Sequence, residues 1–591
     1  MREEFELVVE REVSLTSPSQ EASPSQIVQS EKKRSQIIAR WMGHFFTEDV
    51  SPDNYPVIDL QRRATWIGVA LILQALNEID RRYYLPYVPF LRPWSGVIPF
   101  VLILGSFVAM WMAFRTSTLK QLAGRSRGSS LHHARPRRWQ RFVLICVVLT
   151  SIVGGVEFGR SIALSFFMPP QYSNDGTSLD TSAAALLVQG RNPYTDSNII
   201  NVARQFPIEP YWTTPLRQGQ FANRIVYPTA SEMRGVLDTD LKAGSAPEFE
   251  SKISYPALSF LTLVPFVLLN FYNVLSFYLI CYIVLVAIAW IVVRPELRPW
   301  LLILSLANVS MWTSVASGNL DVFYCLLIVL VWLLRERGGL SALLLGLALA
   351  SKQLAWFFIP FYVLMVWRQY NFMEVVRRLT IAGGVALAIN LPFMLWNPHA
   401  WLAGIMAPIV DPMFPTGAGL ISLGATPLLP VFPPMVYAVL EAAAMLIALA
   451  WYWRLCKERP EAAMVLAVLP LFFAWRSLPS YFYCAAFPLF ILMAARTIPG
   501  KTKQARQALK QPVRLLFNHD RSVIKGIPAP VGTRVAFHSI YYLGNWAATT
   551  LAVLRFMSGY LKCFGSSLLT TGDDEDLGNG QENWRPQGLT G

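Results

Sequence analysis

Residues 272–293 read YNVLSFYLICYIVLVAIAWIVV, a run without a single charge that ends at Arg294. Its length matches the roughly 20 apolar residues that a helix needs to cross a bilayer. Comparable apolar segments lie on both sides of it, at 64–79, 95–114, 142–163, 299–314, 319–334, 340–351, 354–368, 379–396, 434–454, 461–475 and 480–495. Several of these are short. Pairs such as 340–351 and 354–368 suit broken or re-entrant helices that line a cavity. The stretch 256–270, which directly precedes 272–293, is expected to be a partly inserted or interfacial helix.

The composition agrees. Of 591 residues, 54% are hydrophobic and only 15% are charged, against roughly 25% charge in soluble domains. Mean hydropathy is +0.38. A soluble multidomain enzyme, a disordered chain and a basic nucleic-acid binder are thereby excluded. The expected fold is an all-α polytopic membrane protein of roughly 12–13 transmembrane helices.

The net charge of +14 has a topological explanation, because Lys and Arg collect in short cytoplasmic loops. The 115–141 loop holds Arg115, Lys120, Arg125, Arg127, Arg135, Arg137, Arg138 and Arg141 and no acid. Further clusters are Arg294/Arg298, Arg335/Arg337, Arg368/Arg377/Arg378, Arg454/Lys457/Arg459 and the run from Arg496 to Lys525. Placing these inside leaves 164–255, 315–318, the surroundings of 352 and 476, and 397–433 outside. Residues 1–62 read as a disordered cytoplasmic tail. Residues 63–141 hold two N-terminal spans and the basic loop, and 142–497 the main membrane domain. Segment 498–591 is a basic, then acidic, tail with an amphipathic or membrane helix at 535–556. Neither the cysteines nor the six histidines form a ligand pattern, so no metal and no cofactor are expected.

The large outside loop, 164–255, follows the third span and is polar, Pro-rich and aromatic. It carries Asp175 and Asp180, then an apolar helical stretch from Thr181 to Val188, then Gly190-Arg191-Asn192-Pro193-Tyr194. Either acid can serve as general base for an attacking hydroxyl. Against this stand a turn role for Asp175 before Gly176 and an N-cap role for Asp180. Other polar residues recur at outside ends of spans: Asn319 and Asp321, Lys352, Asn397-Pro398-His399 at the head of a Gly/Pro-rich loop, and Arg476. Snorkelling or capping would explain each alone. Together they fall on one side of the membrane and favour a shared site. The cations there suit a phosphate head group. Tyr172, Tyr194, Trp212, Tyr255, Trp396 and Trp401 suit either sugar stacking or the interfacial belt.

An Asp at the head of the first large outside loop, an Ala-rich helix and Gly-Arg-Asn-Pro-Tyr resemble the GT-C membrane glycosyltransferases, most closely glycosyltransferase family 87 (the DUF2029-type mannosyltransferases). Tyr255-Pro256-Ala257, Gly318-Asn319, Lys352 between short helices, and Trp475-Arg476-Ser477-Leu478-Pro479 with Tyr481 are similar to further family motifs. Ala257 stands where the family has a second Pro, and no acid lies near His399 before Asp411. The likeness covers 142–497. It implies transfer of a sugar, usually mannose, from a polyprenyl-phosphate donor to a lipid or glycan acceptor, with inversion, outside the cytoplasmic membrane. It further implies Asp175 as base, with Asp180 as the alternative, and His399 near the reacting hydroxyl or the donor phosphate. Lys352 and Arg476 would hold the phosphate, and Tyr194, Tyr255, Asn319 and Asp321 would contact substrate. The competing function is a transporter or flippase of lipid-linked sugars; no internal repeat supports it.

Overall fold

A computed structural model describes residues 55–79, 95–115, 138–168, 174–206, 213–426 and 429–495. The expected C-terminal tail, its helix at 535–556, and the candidates Tyr172 and Trp212 lie outside these residues.

The described chain is mostly helical. The longer helices are α1 (Tyr55–Ile79), α2 (Val97–Phe114), α3 (Arg138–Phe166), α4 (Asp175–Val188), α5 (Ala230–Ala243) and α6 (Leu275–Val292). They continue with α7 (Arg298–Ala307), α8 (Val309–Ser317), α9 (Asp321–Leu333), α10 (Gly338–Ser351) and α11 (Ile359–Gln369). The last are α12 (Phe372–Trp396), α13 (Pro398–Val410), α14 (Pro434–Leu455) and α15 (Ser480–Ala494). Strands β1 (Thr416–Gly417) and β2 (Arg476–Ser477) form one parallel pair.

Among the described residues, five helices are long and apolar enough to cross a membrane: α2, α3, α6, α12 and α14. A sixth crossing arises if α7 and α8, bent by 51° at Asn308, count as one broken span. The architecture is thus all-α and multi-pass, built from a few full-length spans and many shorter apolar helices. Where 256–270 was expected to be one interfacial helix, the chain makes two single turns, Leu258–Leu261 and Val264–Leu268. Segment 461–475 is likewise a chain of short pieces ending in the 3-10 turn Leu469–Phe473. The first helix begins at Tyr55, inside the stretch expected to be a tail, and the Gly/Pro-rich loop expected after Asn397 opens instead with α13. Asn397 caps it, its side chain accepting from the Ala400 amide at 3.0 Å, and Pro398 fits the first turn, where no amide is needed.

Two apolar cores carry the packing. The larger joins α1–α3, α6–α12, α14 and α15 around the fully buried Trp300, Trp332 and Tyr282. The polar side chains of α1 turn into it and are held there. Glu78 accepts a hydrogen bond from the Tyr483 hydroxyl at 2.6 Å, and Gln74 donates to the Phe482 carbonyl. The smaller core packs α4, α5 and the turns at 258–268 against α12 and α13. Large apolar side chains on α3 and α14, such as Phe142, Val156, Leu446 and Ile447, remain exposed, as expected of helices that cross a membrane.

Candidate functional site

Helix α4 begins earlier than its apolar stretch suggests. Asn174, in extended backbone, caps it by accepting from the Thr177 amide at 2.8 Å. The Asn174 amide donates to the Ser317 carbonyl at 2.7 Å, and the Thr177 hydroxyl donates to the Gly318 carbonyl. The start of α4 is therefore tied to the end of α8. Gly318 stands at φ +75 there, with the Leu275 and Thr177 side chains where a Cβ would go, so only glycine makes this turn without strain.

Helix α4 has two faces with different surroundings. Gly176 and Leu179 line a cavity of about 750 Å³. Asp180 lies on the packed side, 1% exposed, accepting from the Ser259 hydroxyl at 2.9 Å. It is an interior residue of the helix, which corrects the N-cap expectation: the cap is Asn174. Asp175 is the first helical residue, one turn before Leu179. Burial, and then Asp180, push the Tyr194 phenol well up from its ordinary value.

The cavity draws its walls from distant parts of the chain. Besides α4 it is lined by Thr214, Arg217, Glu250 and Tyr255 from the long connection between α4 and α6, and by Lys352, Gln353, Leu354, Trp356 and Phe357 after α10. The end of α13 adds Ile405, Pro408, Ile409 and Val410, the following strap adds Asp411 to Met413, α14 adds Pro434, Ala438 and Glu441, and the far wall holds Trp475, Arg476 and Tyr481. Three of the sequence candidates, Tyr255, Lys352 and Arg476, thus meet in one place.

Their electrostatic settings differ. Lys352 Nζ lies 2.6 Å from Asp321, both side chains nearly inaccessible, and sits 5.0 Å from the centre of the Tyr255 ring. Asn319 positions the acid, its side chain accepting from the Asp321 amide at 3.0 Å. The charge of Lys352 is thus balanced from within the protein. Arg476 has no acid within ion-pair distance among the described residues, and its Nε is buried without an acceptor. It contacts the Met413 sulfur, and the Trp475 indole donates to the Met413 carbonyl at 3.1 Å. A cation that lacks a counterion in a cavity wall is equipped to receive an anion.

The remaining candidates are elsewhere. Tyr194 is buried against Phe260 and Phe393 and donates to the Tyr255 carbonyl at 2.9 Å. It supports the turn that carries Tyr255, a turn also clamped by Gln353 donating to the Ser254 carbonyl and by Asn390 accepting from the Ala257 amide. His399 is exposed in the first turn of α13 and does not line the cavity. Trp401 donates to Asn390 at 3.4 Å, and Trp396 is 39% exposed.

Four charged cavity residues escaped the sequence reading as site residues: Arg217, Glu250, Asp411 and Glu441. Only Glu441 carries a usable signal. It is the sole acid in the α14 segment, and its spacing from Pro434 and Ala438 places all three on one helical face. Glu250 and Asp411 are distant in sequence, and nothing local marks them. Among the described residues no cluster of three or more His, Cys, Asp or Glu could hold a metal ion. Comparisons with protein families, with curated proteins and with solved structures find no match for this chain.

Proposed function

We propose that the chain is a membrane glycosyltransferase that transfers a sugar, mannose by preference, from a polyprenyl-phosphate donor to a lipid or glycan acceptor outside the cytoplasm. The observation that carries this reading is the composition of the cavity. One part presents Arg476 without a counterion beside Lys352, and another presents Leu354, Trp356, Phe357, Ile405, Pro408, Ile409 and Ala438. An anionic head on an apolar chain satisfies both parts, because a phosphate answers the guanidinium and a hydrocarbon answers the apolar wall. Ile409 and Val410 are largely exposed, which leaves an apolar edge of the cavity open to an apolar chain.

In this mechanism Asp175 takes the proton of an acceptor hydroxyl, whose oxygen then attacks the anomeric carbon of the donor sugar. The bond from that carbon to the phosphate oxygen breaks, the configuration inverts, and the electron pair leaves on the polyprenyl phosphate. Arg476 stabilises the departing charge. Lys352 contributes less than its formal charge implies, because Asp321 already neutralises it. Tyr255, Trp475 and Tyr481 supply aromatic faces for the sugar.

The test is transfer of label from radioactive polyprenyl-phosphate-mannose to an acceptor glycolipid in vesicles containing the purified chain. Covalent transfer that disappears in Arg476→Ala supports the proposal. Movement of the donor across the bilayer without transfer would instead establish a flippase.

A further inference from the structure

Three extended stretches meet at the cavity wall. Residues 214–217 run antiparallel to 248–250, with the Leu216 amide donating to the Glu248 carbonyl at 2.8 Å and the Glu250 amide to the Thr214 carbonyl at 2.9 Å. The strap that follows α13 joins on the other side: Leu216 pairs with Met413, and the Arg217 amide donates to the Pro412 carbonyl at 2.7 Å. The same strap continues into β1, which pairs Thr416 with Arg476 and Gly417 with Ser477. Its Met413 also touches both Trp475 and Arg476. Residues 411–417 therefore connect the long outer segment to Arg476, a cavity cation with no acid at ion-pair distance among the described residues.

At the first end of the strap two carboxyl groups face each other. Glu250 is 4% exposed; its Oε1 accepts from the Lys252 amide at 2.8 Å, while its Oε2 is buried with no donor. The Asp411 side chain stands against it, and Lys252 Nζ lies 2.9 Å from both Asp411 oxygens. A proton held between the two carboxyls supplies the missing donor, whereas two adjacent carboxylates repel. We propose that Glu250 and Asp411 form a proton-sharing joint that sets the strap, and through it positions Arg476 for an anionic ligand. The inference rests on the reading of Arg476 as the phosphate ligand and adds regulation of that site by pH.

The charged groups around the joint are Lys252 on the same stretch, Arg217 on its neighbour, and Lys352, Glu441 and Arg476 on the other cavity walls. Burial pushes Glu250 up to about 8, with Asp411 adding to the rise and the Lys252 amide opposing it. The joint is closed below that value and opens above it. Glu250 and Asp411 are thus positioning residues, since they act through the strap.

The test uses the full chain in lipid nanodiscs and tritiated polyprenyl-phosphate-mannose, a phosphodiester whose own charge stays constant between about pH 6.5 and 9.5. Wild-type affinity is expected to fall about tenfold across that range. Glu250→Gln carries a permanent donor in the same shape. It should bind as tightly at high pH as wild type does at low pH, with the step gone. Asp411→Asn should also lose the step, and it keeps the test open if the first variant does not fold. A role in folding alone would lower affinity equally at every pH. The joint is overturned if Glu250→Gln keeps the wild-type step, or if wild type shows no step while Arg476→Ala has lost binding. Undiminished binding by Arg476→Ala would overturn the phosphate reading beneath it.

Discussion

The Lys352 ammonium lies 2.6 Å from the Asp321 carboxylate, with 6% and 1% of the two side chains accessible. The lysine sits where α10 ends, in extended backbone, and the acid starts α9. Burying either charge alone is costly, and each makes the other tolerable. The pair fixes the junction between α10 and the 3-10 turn Gln353–Phe358, and among the described residues it leaves Arg217 and Arg476 as the cavity cations without an acid at ion-pair distance.

Breaking that pair from one side should destabilise the fold. Asp321→Asn or Lys352→Met alone strands a buried charge, at a cost of about 3–5 kcal/mol. The double variant should recover most of the loss. Thermal unfolding of the detergent-purified chain reads both, and additive losses in the double variant would refute the pairing.

Arg476 should govern donor affinity. Arg476→Ala removes the unpaired guanidinium and should raise the donor KM at least about tenfold; Arg476→Lys keeps the charge but loses the planar fork and should recover only part. Steady-state transfer at varied donor concentration distinguishes this from a change in kcat alone.

The two acids of α4 should separate. Asp180 is buried against Ser259, so Asp180→Asn is expected to lower stability. Asp175→Asn should leave the melting temperature unchanged and reduce transfer by about 10²–10⁴, the usual weight of a general base. If Asp180→Asn abolished transfer in a fully folded protein while Asp175→Asn did not, the base would be Asp180.

Gly417→Ala offers a way to move Arg476 without touching its charge. Gly417 has φ +146, and a Cβ there would stand 2.2 Å from the Ser477 carbonyl oxygen. The β1–β2 pairing must then yield. Donor affinity should fall as in Arg476→Ala, measured with the labelled donor at fixed pH.

Stability itself should depend on pH through Glu250. Its value rises from 4.5 to about 8 on folding, so the folded state holds a proton that the unfolded state has released. The contribution is fully present below about pH 4.5 and is lost as pH rises through about 8. Glu250→Gln should flatten the alkaline limb of a melting-temperature profile, and an unchanged profile would count against the raised value.

Much of the fold is legible because apolar length is a local property. The runs at 95–114, 142–163, 272–293, 379–396 and 434–454 each contain or lie within one of α2, α3, α6, α12 and α14. Where polar residues interrupt, as along α1 and at 460–473, boundaries and continuity depend on partners instead. Gln74 and Glu78 fit α1 only because Phe482 and Tyr483 receive them.

The sequence by itself determined the class of molecule and singled out Tyr255, Lys352 and Arg476, because a charge or a polar aromatic at the end of an apolar run stands out locally. Only the tertiary structure decided what each one meets. Asp321 neutralises Lys352, Asp180 turns inward while Gly176 and Leu179 face the cavity, and Asp411 reaches Lys252 and Glu250 across the strap. The physical reason is that a charge acts over a few ångströms of space, whereas the chain separates these groups by many residues. Their pairing is therefore written in how the helices pack.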